Sequence, residues 1–305
     1  MQQKIATPLP AEAAAVSGPD TLGGAQRPRA GTLSRLARNH VAMVALTFLL
    51  LIYGASLTVP IYIPAERANQ MDLLDTLAPP SAAHPFGTDE AGRDVFVRAL
   101  YGGRISLTVG IAAAALQGVI GIVIGAAAGY CGGRLDALLM RVADLLLGVP
   151  FFFVLILVAS FTQPSLASII LVIGLLQWVT MARLVRSELL SLKEWEFVIA
   201  ARAVGSGPLR ITFRQLLPNA VAPIIVQGTL AVAFAILAES AISFLGLGIQ
   251  PPTPSWGNML TKAQGYLISA PWLAIFPGGL IFLTVLSFNL LGDALRDALD
   301  PKLRS

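Results

Sequence analysis

Five charge-free apolar runs, Val41–Ile63, Ile105 up to Arg134, Leu145–Ala182, Leu216–Ala238 and Ala263–Gly292, constrain this chain more than any other feature. Each is long enough for the roughly 20 consecutive apolar residues that a helix needs to cross a bilayer. Leu145–Ala182 is long enough for two, and Thr162, Gln163, Pro164 and Ser165 interrupt it, so it reads as a tight hairpin of two spans. Gln264–Ala270 is too mixed for hydrocarbon, which starts the last helix near Pro271. The expected fold is an all-α integral membrane protein with six transmembrane helices. Only 12% of the residues are charged, against about 25% in soluble domains.

Lys and Arg set the orientation. With the N-terminus inside, the inner segments hold Lys4, Arg27, Arg29, Arg35 and Arg38, then Arg134 and Arg141, six residues from Arg183 to Arg214, and Arg296, Lys302 and Arg304; this is 16 of the 21 basic residues. Arg67, Arg93, Arg98, Arg104 and Lys262 fall outside. The positive-inside rule therefore places both termini in the cytoplasm, with the polar loop around Glu196–Asn219. The net charge of +4 reflects this asymmetry and not an affinity for nucleic acid.

Residues 1–39 are rich in Ala, Pro and Gly and lack apolar periodicity for most of their length, so they read as a mostly disordered cytoplasmic tail. They are too long for the basic region of a signal peptide, and residues 40–63 then form an uncleaved first span. Residues 64–103 form an extracytoplasmic segment. In it Thr88 is placed to cap a helix whose Phe96, Ala99 and Leu100 share one face and lie at the membrane interface. A metal site from His84, Asp89, Glu90 and Asp94 is the alternative there. Gly110, Gly118, Gly121, Gly125 and Gly129 stripe the second span for close helix packing. Cys131 falls at its inner end and has no partner for an internal disulfide. Arg141 and Asp144 are spaced for pairing at the start of the third span, and Asp293 with Arg296 and Arg296 with Asp300 near the C-terminus, where Pro301 ends the helix. Trp256 and Trp272 suit the interface, beside a loop stiffened by Pro251, Pro252 and Pro254. Glu239 is the only acid within the apolar stretch of the expected fifth helix, whose core runs from about Leu216 to Leu245, so it must face the bundle, a watery path or the outer end; a packing role near an outer gate and direct substrate contact are both open.

The loop itself reads EFVIAARAVGSGPLRITFRQLLPN from Glu196 to Asn219. Both sides of Gly205 are helix-prone, small Ala200 and Ala201 permit close approach, and Pro218 suits a first helical turn. Arg202, Arg210 and Arg214 add positive charge. A helix, a turn and a second helix laid along the membrane surface make a docking element for a soluble partner.

This loop resembles the EAA loop of the membrane subunits of ABC importers, whose pattern is Glu-Ala-Ala, three residues, Gly, nine residues, then Ile-x-Leu-Pro. Ala200, Ala201, Gly205, Leu217 and Pro218 match it. Ile199 stands in place of the Glu and Gln215 in place of the Ile, while Glu196 lies one turn upstream on the same face. HPFGTDEAGRD at His84–Asp94, FLGLGIQPPTPSWGNML at Phe244–Leu260 and NLLGDALRDALDP at Asn289–Pro301 resemble the C-type permeases of dipeptide, oligopeptide, glutathione and nickel ABC importers.

The resemblance implies a type I permease fold in a bacterial or archaeal plasma (inner) membrane. It implies a five-span core over 104–293 with the coupling loop at 188–217, and a cytoplasmic segment at 294–305. The partners it implies are a homologous B-type permease, two ATPase subunits that hold ATP and Mg, an extracytoplasmic binding protein and membrane lipid. The chain binds no cofactor of its own in this reading. Peptides are the first expectation for the solute, with nickel or glutathione as alternatives. The chain lacks a phosphate-binding Gly-x-x-x-x-Gly-Lys-Ser/Thr motif and a His/Cys metal cluster, which argues against an enzyme. An ion-coupled secondary transporter, the reading from a different class, needs several ionisable groups at mid-membrane, and only Glu239 is offered.

Overall fold

The computed structural model describes residues 36–299. Ten helices carry it: α1 His40–Tyr62, α2 Val95–Cys131, α3 Gly133–Leu147, α4 Phe151–Phe161, α5 Leu166–Leu192, α6 Glu196–Ala203, α7 Pro208–Ile211, α8 Val221–Phe244, α9 Trp256–Ala263 and α10 Trp272–Leu299. A π turn at Thr212–Leu216 and a short piece at Leu217–Asn219 join α7 to α8. Among the described residues the only β pairing is one isolated bridge between Thr88 and Asp94. The calls on residues 1–35 and on Asp300, Pro301, Lys302 and Arg304 lie outside the described residues.

Five helices, α1, α2, α5, α8 and α10, are long and apolar enough to cross a membrane. The expected sixth span takes a different form. Gly148 and Pro150 separate α3 from α4, and the two helices meet at a bend of 85°. Pro150 has no N–H to continue the ladder, so the chain breaks there and restarts. The hairpin expected after α4 does form, and Ser165 opens α5 with a capping box closed by Ser168.

Thr88 does not cap a helix. Its hydroxyl donates to the carbonyl of Asp75 and accepts from the Ala78 N–H, which pins the loop onto itself. The cap is Asp94, whose carboxylate accepts from the Val97 N–H at 3.0 Å, and the helix then continues without a break to Cys131. No separate interfacial helix containing Phe96 forms: with no proline between Asp94 and Cys131, the first turns are continuous with the span. At 1.5 Å per residue, 37 residues make about 55 Å, well beyond a hydrocarbon core of about 30 Å. The overhanging turns are held by Arg98, which donates to the Ala68 carbonyl and Asn69, and by Tyr101, whose hydroxyl donates to the Ile63 carbonyl.

The glycine stripe finds its neighbour in the same chain. A Cβ on Gly121 would lie 2.5 Å from Met181 Cβ, one on Gly125 2.4 Å from the Ala182 carbonyl, and one on Gly129 3.0 Å from the Arg186 carbonyl. In lipid no water is released by apolar contact, so α2 and α5 are held by this close van der Waals fit. Gly110 admits Ile236 of α8 in the same way, whereas Gly118 faces open space.

Three expectations are corrected, for Trp256, for Asp144 with Arg141 and for Asp293 with Arg296. Trp256 is no interfacial anchor: it is 0% exposed, packed with Leu107, Ile236 and Ile281, and its indole N–H donates to the Ala99 carbonyl at 2.9 Å. Trp272 is half-buried and donates to the Thr88 carbonyl. Asp144 pairs with Arg183 of α5 and not with Arg141, since a pair between helices fastens α3 where a pair within one helix does not. Asp136 reinforces the joint by accepting from Arg186 at 2.5 and 2.7 Å. Among the described residues Asp293 and Arg296 form no ion pair.

Candidate functional site

Two places gather the predicted site residues: the surface formed by α6 and α7, and a buried carboxylate on α8.

At the first, α6 ends in a Schellman motif. Gly205 takes φ +78°, its N–H donates to the Arg202 carbonyl, and the Ser206 N–H reaches back to the Ala201 carbonyl, both at 3.0 Å. A positive φ is what glycine supplies without Cβ strain. Pro208 then opens α7 at a position where a missing N–H costs nothing. Pro218 sits in the short helical piece Leu217–Asn219, ahead of the span and not within it. The π turn preceding it carries a bond from the Leu217 N–H to the Thr212 carbonyl.

The loop is fastened from below. Val198, Ala201, Ile211 and Leu216 are buried in one cluster with Ala126 of α2 and Met181, Val185, Leu189 and Leu192 of α5, with Leu217 packed at its edge. Ala201 is therefore turned inward, and the close approach it permits is to its own chain. Ala200 faces out, together with Glu196, Arg202, Gly205 and Pro218. Around them stands an apolar ridge: Ile199 is 55% exposed, Val204 81%, Leu209 74% and Phe213 60%. Residue patterning had missed this ridge; its signal was that four large apolar residues sit in a segment otherwise read for its charges. A loop that buries its inner face and still exposes this much apolar surface is suited to a partner. The Arg202 guanidinium lies 5.9 Å from the Tyr130 ring centroid at the end of α2.

At the second place, Glu239 is 0% exposed. Ser106 of α2 donates to one carboxylate oxygen and Ser243 to the other, each at 2.7 Å. Both serines relay the contact: the Ser106 hydroxyl accepts from the Trp256 N–H at 3.3 Å and that of Ser243 from the Ile249 N–H at 3.2 Å. The carboxylate thus ties α2, α8 and the loop before α9 into one network. Its two oxygens retain acceptor capacity, but the protein closes around them.

The alternative metal cluster is differently employed. Asp89 accepts from Arg93 at 2.7 Å and from two backbone N–H groups of its own loop, and Asp94 holds its helix cap and His84, at 2.8 Å. Among the described residues no group of three His, Cys, Asp or Glu side chains is arranged to hold a metal ion. Cys131 is exposed at the end of α2.

A bundle of long apolar helices with a surface loop fastened to two of them is the frame of a multi-pass membrane protein. Residues 121–305 match the family described as "Binding-protein-dependent transport system inner membrane component", and residues 28–80 match "N-terminal TM domain of oligopeptide transport permease C". The chain belongs to this family of ABC importer permeases. It is 46% identical over 271 residues to the dipeptide transport system permease protein DppC of Bacillus subtilis, covering 88% of this chain and 84% of that one. It is 42% identical over 270 residues to the oligopeptide transport system permease protein OppC of the same organism, 88% of each chain. With the glutathione transport system permease protein GsiD of Pectobacterium atrosepticum it shares 41% identity over 271 residues, 89% of this chain and 90% of that one. The chain is accordingly a transport subunit and not an enzyme; ATP is hydrolysed on partner subunits.

Proposed function

We propose that this chain is the C-type permease of an ABC importer for di- or oligopeptides in a bacterial or archaeal plasma (inner) membrane. It forms half of the translocation path beside a homologous B-type permease. Two ATPase subunits holding ATP and Mg dock on its cytoplasmic side, and an extracytoplasmic binding protein delivers the solute. The observation that carries the reading is the ridge of Ile199, Val204, Leu209 and Phe213 standing on a loop whose underside is buried in the ends of α2 and α5. Such a loop seats in a groove of a soluble partner, and its packed underside passes movement to the spans. Peptides are favoured by the names of the relatives; glutathione, itself a peptide, is the second reading, and one relative is a glutathione permease.

In this account Glu196, Ala200, Arg202, Gly205 and Pro218 line the face that meets the ATPase, while Ala201 and Leu217 hold the loop to the membrane core. Closure of the ATPase dimer pushes α6, and α2, α5 and α8 rock with it. Glu239 joins α2 to α8 at the far end of the bundle, near the outer gate.

The orientation is testable. In a Cys131→Ser background, Val204→Cys is expected to resist a membrane-impermeant maleimide in intact cells and to react in inverted vesicles stripped of the ATPase subunits, and Thr253→Cys to do the reverse. Both side chains are exposed, so reactivity reports the side of the membrane. Labelling of Val204→Cys from outside would place the loop beyond the reach of an ATPase and end the proposal.

A further inference from the structure

Between α2, α5 and α8 lies a cleft lined by Gln117, Gln177, Thr180 and Gln227, with Phe234 among its apolar walls. Gln117 and Gln177 lie 14 and 15 residues from the helix ends at Cys131 and Leu192. At 1.5 Å per residue this is about 20 Å from the loop side, inside a hydrocarbon core of about 30 Å. Gln117 is only 5% exposed. Among the described residues none of these three amides, nor the Thr180 hydroxyl, has a hydrogen-bond partner within the chain. Uncompensated amides along apolar spans are costly in lipid, so polar side chains there face a path, a cavity or a partner.

We propose that this cleft is the polar lining of the translocation path in this half of the importer, and that it takes the backbone of the passing peptide. The inference rests on the peptide-importer reading above. A carboxamide offers two N–H donors and a carbonyl acceptor, the complement of a peptide bond's own C=O and N–H, whatever side chains the peptide carries. The cleft holds no ionised group. A metal cation or a coupled proton would call for a carboxylate or imidazole, and Glu239 is engaged by Ser106 and Ser243 further along α8. Neutral amides also suit passage, which requires contacts favourable enough to enter and weak enough to leave. Thr180 is exposed, which leaves the cleft open on one side for the second permease to complete.

The test uses the complete importer in proteoliposomes, with radiolabelled dialanine, trialanine and glutathione as probes. The double variant Gln177→Leu/Gln227→Leu is expected to lower uptake of the accepted probe by about tenfold or more, a loss of about 1.4 kcal/mol in the transition state for passage. ATP hydrolysis stimulated by loaded binding protein and copurification of the second permease stay unchanged. N-methylation of the peptide bond removes one donor, so it lowers uptake by the unaltered importer at equal occupancy of the binding protein and has no further effect in the double variant. Uptake within about twofold of the unaltered importer would overturn the proposal, since a lost buried hydrogen bond to the substrate costs more than that. Loss of the second permease from the complex would overturn it too, by assigning the glutamines to the contact between subunits. Absence of uptake of all three probes by the unaltered importer would contradict the peptide reading itself, and the cleft's role would fall with it.

Discussion

Replacing Gly205 by Val is expected to reduce uptake at least about tenfold, with the chain still inserted in the membrane at normal abundance. Left-handed backbone costs an ordinary residue about 1–2 kcal/mol, and a β-branched one more. A Cβ at this position would meet nothing within 4 Å, so the penalty is one of backbone conformation alone and falls on the turn that sets α6 against α7. The Schellman bonds from Gly205 and Ser206 are lost with it. Gly205→Asn, which tolerates the same region, is expected to keep most of the activity. Uptake assayed at matched abundance, together with copurification of the ATPases, reads the result. Normal uptake and normal copurification with Val would show that the bend does not carry the loop's function.

Glu239→Ala is expected to lose much of the transport, and Glu239→Gln to retain most of it. Alanine leaves the hydroxyls of Ser106 and Ser243 facing a buried void, and an unsatisfied buried group costs about 1–3 kcal/mol. Glutamine keeps the shape and one carbonyl acceptor. Its amide group has to meet the other serine, whose hydroxyl also accepts from a backbone N–H, and a hydroxyl has acceptor capacity for both. Complete loss of uptake with Gln, in a complex of normal composition, would instead assign the carboxylate a role that depends on its charge.

Much of the helical frame was legible because hydrocarbon leaves so few options: a run without charge and of sufficient length has to be a helix. The start of the last span near Pro271 and the hairpin at Thr162–Ser165 followed from that rule and from the residues that break it. The bend at Gly148–Pro150 was missed because apolar content was followed across a proline, although the proline was visible. The continuity of α2 was missed because Thr88 was read as a local cap, whereas its hydroxyl serves the distant Asp75 and Ala78. Trp256 illustrates a harder limit. Nothing nearby in the chain announces that Leu107, Ile236 and Ile281 will enclose it.

The site divides in the same way. Gly205 declared its own turn, and the periodic glycines declared a close helix contact, but not which helix supplies it. Gln117, Gln177 and Gln227 stand in three separate apolar runs, and only the crossing of α2, α5 and α8 brings them to one cleft. The ridge on α6 and α7 was hidden by a different cause: Ala200 and Ala201 are adjacent and alike in sequence, yet helical geometry turns one outward and the other into the core.

The central claim is that the exposed face of α6 and α7 receives the ATPase and passes its movement to α2 and α5. Cross-linking tests it most directly. In the assembled importer with Cys131→Ser, a maleimide-linked benzophenone is attached at Ile199→Cys and, separately, at Val204→Cys, and after irradiation the cross-linked subunit is identified by mass spectrometry. The account predicts a product with an ATPase subunit at both positions, with a yield that changes between the nucleotide-free and ATP-bound complexes. Products formed only with the binding protein or with lipid, in a complex that retains its ATPases, would contradict it.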